Sequence, residues 1–204
     1  MDPEEAWRIA EHQRGCFNRA VDAFDVPQPA DVLERLGAVV VAAAIAPGET
    51  VLDVGAGVGV LVPLIRRCRP GRIIACDLAE RMLERLARKY PEVEVRQGDI
   101  AALDLPDVSV DVVFMNAMYG NIADKPGAHR NVARMLRPGG RLAVSHPEGR
   151  AFVEQLCASS SLFIEAYPTR EAFAAALAPH GLVVDAFRDE AQLYLMLASK
   201  PAPA

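Results

Sequence analysis

The sequence is short of the features that mark staple-held, nucleic-acid-bound or membrane-embedded proteins. Its four cysteines, Cys16, Cys68, Cys76 and Cys157, stand far apart with no C-x-x-C pair. Neither a zinc knuckle nor a disulfide framework is suggested, and reduced thiols are the default. Positive charge is in deficit: Lys+Arg 22 against Asp+Glu 27 leaves a net charge of −5. There is no general basic footprint to hold a phosphate backbone, so no nucleic-acid partner is expected. Long apolar runs are missing too. The most hydrophobic stretch, Ala38 to Ala46, is about half of the roughly 20 residues that a membrane span needs. The opening Met1-Asp2-Pro3-Glu4-Glu5 is acidic where a secretory leader is basic, and no apolar segment follows it. The expectation is a cytoplasmic protein with no membrane span.

Disorder is also excluded, since 51% of residues are hydrophobic and 24% charged, the ordinary globular mixture. No repeat and no linker interrupts the 204 residues, so they are expected to form one domain able to bury a full core.

The patterning begins with helices. Ala10, Phe17, Val21 and Phe24 share one face of an amphipathic arm from about Glu4 to Asp25. Val26-Pro27-Gln28-Pro29 breaks it. Asp31 is expected to cap the next helix, Val32 to Ile45. Strands and helices then alternate: Thr50–Val54, helix Val60–Cys68, Arg72–Cys76, helix Glu80–Lys89, Val93–Arg96, Val110–Met115, helix Ala128–Leu136, an Arg137-Pro138-Gly139-Gly140 turn and Arg141–Ser145. Such alternation predicts βαβ crossovers and a parallel sheet covered on both faces. A helix from Glu148 to Ala158 and another capped by Thr169 follow. Two strands, Leu182–Phe187 and Gln192–Ala198, are then joined directly by an Arg188-Asp189-Glu190 turn. A hairpin is antiparallel, so the fold expected is α/β: a Rossmann-like, doubly wound, mostly parallel sheet with an antiparallel C-terminal strand, plus an N-terminal helical arm.

Ligands bind open parallel sheets beyond the carboxyl ends of the strands, which directs attention to the first strand-to-helix turn. It reads Asp53-Val54-Gly55-Ala56-Gly57-Val58-Gly59. A dinucleotide fingerprint would need a third glycine or alanine at position 60, where Val60 stands. Asp-x-Gly-x-Gly-x-Gly resembles motif I of the class I S-adenosylmethionine-dependent methyltransferases. Asp77 ends the second strand, 77 − 53 = 24 residues after Asp53, where a carboxylate can accept both hydroxyls of a ribose. Gln97-Gly98-Asp99-Ile100, Val110 to Asn116 and Arg137 to Leu142 resemble later motifs of the same family in the same order. Phe24-Asp25 resembles the aromatic-acidic end of a lead-in found in relatives of the ubiquinone and menaquinone C-methyltransferases.

The resemblance implies S-adenosylmethionine as cofactor and S-adenosylhomocysteine as product. It implies donor-binding roles for Asp53, Gly55, Gly57, Gly59, Asp77, Leu78, Met82, Asp99, Ile100 and Asn116. Asp77 would hold the ribose, Leu78 and Met82 border the adenine, Asp99 take its amino group, the Ile100 amide its ring, and Asn116 face the methionine end. Asp53 could equally orient the loop. Residues 1–46 would then be arm and first helix, 47–147 the donor core, and 148–204 the acceptor side with the terminal hairpin.

Methyl transfer from a sulfonium is an in-line displacement that needs positioning first, and a base only where the acceptor holds a proton of high pKa. His146, after the fifth strand, is the candidate base, with Asn116 and Tyr119 as further catalytic candidates; Glu148 or Arg150 could orient the histidine or hold an anion. His12 could reach the cleft from the arm, while His129 is expected on a helix surface and His180 at a helix stop. Asp111, Asn116 and Asn121 could be imagined around a hard cation, but Asp111 begins its strand and points to the wrong end, so no metal is assigned. The acceptor is expected to be a small molecule and the protein a monomer or homodimer. The alternatives are a nicotinamide-dependent oxidoreductase and a methyltransferase-like binding module without catalysis.

Overall fold

The computed structural model describes residues 1–202. Seven strands form one sheet: β1 (Thr50–Val54), β2 (Arg72–Asp77), β3 (Glu94–Gln97), β4 (Val110–Asn116), β5 (Leu136–His146), β6 (Val183–Glu190) and β7 (Leu193–Ser199). Their order is β3-β2-β1-β4-β5-β7-β6. All the pairings among β1 to β5 are parallel, and β7 runs antiparallel to both β5 and β6. The strand order reverses beside β1, which places the switch point between β1 and β4.

Side chains alternate across this sheet with period two, and both faces are covered. Leu52, Val54, Val113, Met115, Leu142 and Val144 pack towards α5 (Lys125–Met135) and α7 (Arg170–Leu177). Val51, Ile73, Val112, Phe114 and Ala143 pack towards α2 (Ala30–Ala42), α3 (Val62–Arg66) and α4 (Glu80–Lys89). The helix α2 buries Val32, Leu36, Val39 and Val40, one stripe at three- and four-residue steps. In α4, Glu80 occupies the first turn and Arg88 and Lys89 the last, in the sense that the helix dipole favours. The last strand pair is reached through α6 (Gly149–Ser159) and α7.

Above the carboxyl edge lies α1 (Pro3–Phe24), a 22-residue helix. Its apolar hold is small: Val21 with Ala79 and Met82, flanked by Phe17 and Val58. Charged and polar contacts to α4 supply the rest. Arg14 binds Glu80 through two hydrogen bonds of 2.9 and 3.1 Å, Arg85 reaches Asp22 at 2.8 Å and also pairs with Asp25, and Lys89 pairs with Asp25. Arg81 N–H donates to Asn18 Oδ1 at 3.0 Å.

Local differences from the patterning have identifiable causes. Asp31 does not cap α2; Pro29 is the N-cap, and Asp31 sits in the first turn, where it pairs with Arg35 at 2.9 Å. Thr169 does cap α7, accepting from Ala172 N–H at 3.3 Å. Arg137 to Gly140 is not a turn ahead of β5 but part of it: Val110 pairs with Leu136 and Val112 with Arg141, so the extra residues bulge inside a continuous strand. The terminal hairpin turns at Ala191-Gln192, later than the charged run 188–190, which extends β6.

The loop after β3 is held from α5 by a buried amide, with Arg134 donating beside it to the carbonyls of Leu103 and Leu105. Asn131 of α5 donates through Nδ2 to the carbonyls of Ile100 and Leu103 at 2.8 and 2.9 Å. Asn131→Leu leaves Ile100 O without its donor and Leu103 O with only Arg134 Nη2 at 3.3 Å, and is expected to lower stability by about 1–3 kcal/mol in urea unfolding. No change would mean that the loop finds other donors.

Candidate active site

The carboxyl ends of β1, β2 and β4, roofed by α1, enclose a cavity of about 280 Å³. Its floor is the turn after β1. Gly55, Gly57 and Gly59 all take positive φ, at 64°, 54° and 89°. A Cβ on Gly57 would meet no protein atom within 4 Å, only the cavity it lines, so the bare backbone is what a ligand would meet there. At the end of β2, Asp77 holds this turn. Its Oδ2 accepts from Gly57 N–H and its Oδ1 from Ala79 N–H, both at 2.9 Å. Each oxygen keeps a further acceptor position. Burial pushes the carboxyl pKa upward, while the backbone N–H groups draw it down.

Behind the turn, Asp53 is 2% exposed and its Oδ2 has no hydrogen-bond partner. Burial, with the Asp77 charge as a smaller cause, pushes its pKa up to about 8. An uncompensated carboxylate is costly in such a place, so the group is mostly protonated at neutral pH and gains from any cation placed over the turn.

At the end of β4, Asn116 lines the cavity and its Oδ1 accepts from Ser145 Oγ at 2.9 Å. That bond leaves its NH2 group as the part of the amide available to the cavity. The next residue, Ala117, has φ 54°, a strained value for a residue with a Cβ. It donates its N–H to Ser145 O at 2.7 Å, so β5 holds the strained turn in place.

The structure gathers part of the expected donor set at this cavity: Gly55, Gly57, Asp77, Leu78, Met82 and Asn116 line it. Four other residues are placed differently. Asp53 lies behind the turn. Gly59 is buried against α4, where a Cβ would come within 2.9 Å of the Tyr90 ring, so its glycine serves helix packing. Ile100 is 3% exposed and its side chain belongs to the core. Asp99 lines an adjoining groove with Trp7 of α1, and that groove meets the cavity at Leu78 and Gly98.

Two of the three catalytic candidates do not reach the cavity lining. Tyr119 is 2% exposed and turns into the core, where its hydroxyl lies 3.0 Å from His129 Nε2 and its ring packs on Phe173. His146 is 7% exposed, beside Phe152 and Tyr167, and its Nδ1 accepts from Glu148 N–H at 3.2 Å. Burial lowers its pKa to about 4, so it is neutral at pH 7. Glu148 and Arg150 are engaged elsewhere, by Arg35 at 3.3 Å and Asp189 at 2.8 Å. His129 is not on a helix surface: it is 2% exposed, and burial lowers its pKa to about 4. His12 is exposed and faces Cys16. Asp111 binds Thr50 N–H and Arg137 at the far edge of the sheet. Among the described residues no three His, Cys, Asp or Glu side chains gather as a metal-ligand set.

The residues that sequence reasoning missed come from the roof, from α2 and from the loops around them. Gln13 is 1% exposed and donates through Nε2 to the carbonyls of Asn121 and Phe163, both at 3.0 Å. It was legible as the polar residue on the apolar stripe, three after Ala10 and four before Phe17. Gln28, Val32, Leu36, Met118 and Pro147 complete the lining, with Met118 lying directly against Gly55.

Comparison with known proteins agrees with this geometry. Residues 52–144 match the model of a family described as a methyltransferase domain. An arsenite methyltransferase from Halobacterium salinarum is 38% identical over 133 residues, covering 62% of this chain and 34% of that protein. A malonyl-[acyl-carrier protein] O-methyltransferase from Serratia marcescens is 33% identical over 132 residues, covering 64% and 50%. The chain thus spans between a third and a half of the length of these curated relatives. The methyltransferase solved in complex with the Haloferax volcanii Trm112 methyltransferase activator superposes with a TM-score of 0.77 over 91% of this chain and 97% of its own, at 19% identity, a likeness of fold. Among the described residues no helix is long and apolar enough to cross a membrane.

Proposed function

We propose, from the premise that this chain carries a class I S-adenosylmethionine-dependent methyltransferase domain, that it moves a methyl group from that donor to a small-molecule acceptor by in-line displacement. The observation that carries the reading is Asp77: a half-buried carboxylate on the cavity wall that braces the glycine turn and still has an acceptor position on each oxygen. Those positions suit the two hydroxyls of a ribose. Gly55 and Gly57 pass under the donor, Leu78 and Met82 flank its adenine, and the amide of Asn116 faces its methionine end. The buried, unpartnered Asp53 gives the site a latent negative charge below a cationic ligand. Asp99 reaches an adenine amino group from the adjoining groove.

S-adenosylmethionine supplies an electrophilic methyl on a positively charged sulfur. The chain's contribution is to hold both reactants in line and exclude water; α1 does the latter by closing over the turn with Gln13 and Phe17. His146 and Tyr119, folded into the core, act as supports of the loops after β5 and β4.

Calorimetry with S-adenosylhomocysteine and with NAD tests the reading. Saturable binding of S-adenosylhomocysteine with none of NAD is expected. NAD binding alone would replace the methyltransferase by an oxidoreductase, and binding of S-adenosylhomocysteine with a site closed to every acceptor would favour the non-catalytic module.

A further inference from the structure

The acceptor half of the cavity is defined by what its wall does not carry. Among the described residues, the titratable side chains lining the cavity are Asp77 and Cys76, both at the end of β2. Cys76 donates through Sγ to Gly98 O at 3.3 Å, and burial raises its pKa, so it is no base. The lining also includes the apolar side chains of Phe17, Phe24, Val32 and Leu36 and the neutral amides of Gln28 and Asn121. Phe24 is 48% exposed and forms an edge-to-face pair with Phe17 at 5.8 Å. Val26 and Leu33, exposed beside these wall residues in the chain, continue the apolar character outward. No histidine, lysine or arginine lines the cavity among the described residues.

This chemistry constrains the acceptor, given the donor assignment above. With Asp77 engaged by the ribose and Cys76 protonated, no base is left for the acceptor, and the nucleophile must reach the site already deprotonated. At pH 7 a side-chain-like thiol is ionised to about 3%, a phenol to about 0.1%, and an alkyl amine is free of its proton to about 0.04%. A carboxylate is fully ionised, but its hard, weakly basic oxygens are far poorer nucleophiles towards a sulfonium methyl carbon than a polarizable thiolate sulfur. A neutral thioether would leave a new sulfonium cation against uncharged walls. A thiolate cancels the charge of the donor instead, so both products are neutral and suit an apolar pocket.

We infer that the acceptor is a thiol on an apolar body, methylated on sulfur. The inference rests on the methyltransferase reading of the same site. The thiol gives its proton to bulk water before or during binding. The thiolate sulfur then forms a bond to the methyl carbon as the donor's S–CH3 bond breaks, and the bonding pair stays on the departing sulfur. One thiolate and one sulfonium become two neutral thioethers. The wall of Phe17, Val32 and Leu36 accommodates the apolar body, and the amides of Gln28 and Asn121 leave the charge of the acceptor unchanged.

The test uses the full chain with S-adenosylmethionine and a ring-matched set: thiophenol, phenol, benzylamine, benzyl alcohol and benzoate. Thiophenol is expected to exceed each of the others in kcat/KM by at least about 100-fold. Across ring-substituted thiophenols, the pH midpoint of kcat/KM should follow the pKa of each acceptor. A second readout avoids turnover: thioanisole should bind the S-adenosylhomocysteine complex in calorimetry, and benzoate should not. Gln28→Glu, which adds an anion to the wall, should lower kcat/KM for thiophenol at least about tenfold while leaving S-adenosylhomocysteine affinity within about twofold. A midpoint fixed at one pH for all acceptors would reveal a protein base and overturn the inference, as would preference for phenol, amine or carboxylate. Failure to bind S-adenosylhomocysteine would overturn the methyltransferase reading itself, and the inference with it.

Discussion

Asp53→Asn is expected to stabilise the protein relative to wild type increasingly as pH rises, by up to about 5 kcal/mol between about pH 4 and about pH 8. An unfolded aspartate titrates near its ordinary value of about 3.9, whereas in the fold burial holds this group at about 8. Between those values the native state keeps a proton that the unfolded state has released. The favourable contribution of Asp53 is therefore complete below the unfolded pKa and is lost as pH climbs through the folded one. Asparagine has no such proton. Any cost of seating its NH2 group beside the unpartnered Oδ2 position applies at every pH and cancels in the difference. Urea unfolding of both proteins across this range measures it. A difference that does not vary with pH would show that Asp53 is ionised in the fold throughout.

Two histidines impose the opposite slope. His129 and His146 are held near pKa 4 by burial, below the unfolded value of about 6.5. Their contribution is complete above that unfolded value and is lost as pH falls towards 4. The two histidines oppose Asp53 on the acid side, while on the alkaline side Asp53 acts in the same sense as Asp77 and Asp99, whose carboxyl pKa values burial also raises. Wild-type stability should therefore pass through a maximum at intermediate pH and fall on either side of it.

Asp77→Ala is expected to weaken S-adenosylhomocysteine binding by about tenfold to a hundredfold, the range for losing hydrogen bonds to a charged group. Two effects combine in this loss. The ribose hydroxyls lose their acceptors, and the N–H groups of Gly57 and Ala79 lose the oxygens that brace the turn. Asp77→Asn should fall between the two, because an amide offers one oxygen where the carboxylate offers two. Calorimetry at neutral pH reads the effect; unchanged affinity in the alanine variant would show that the ribose lies elsewhere.

The sheet was legible because its signals are local. Alternating apolar strands, the glycine turn and Asp77 at a strand end are written within a few residues of one another, and the terminal hairpin announced itself by two strands with no room for a crossover. Boundaries were less legible where charge and glycine mislead. Arg188 to Glu190 looks like a turn but is edge strand, and Pro138-Gly139-Gly140 looks like a turn but is a bulge held by Lys200, whose carbonyl accepts from Gly139 N–H at 2.7 Å. The donor side of the site was readable for the same reason as the sheet. The acceptor side was not, because which way a loop side chain turns is decided by distant partners. Tyr119 is drawn into the core by His129 and Tyr167, whose hydroxyl accepts from Tyr119 N–H at 3.2 Å. His146 is drawn in by Phe152 and Tyr167. Gln13 takes part in the site through carbonyls 108 and 150 residues away.

The attachment of α1 gives the molecule two materials with different responses to its surroundings. Beneath the cavity the sheet is joined to its helices by tightly packed apolar faces, which dissolved electrolyte leaves intact and which cohesive water reinforces. Above it, the covering helix is fastened largely by half-exposed charge pairs, each worth little and each weakened as ions accumulate. The cavity is therefore covered by the softer material. Ionic strength acts on the door and spares the room.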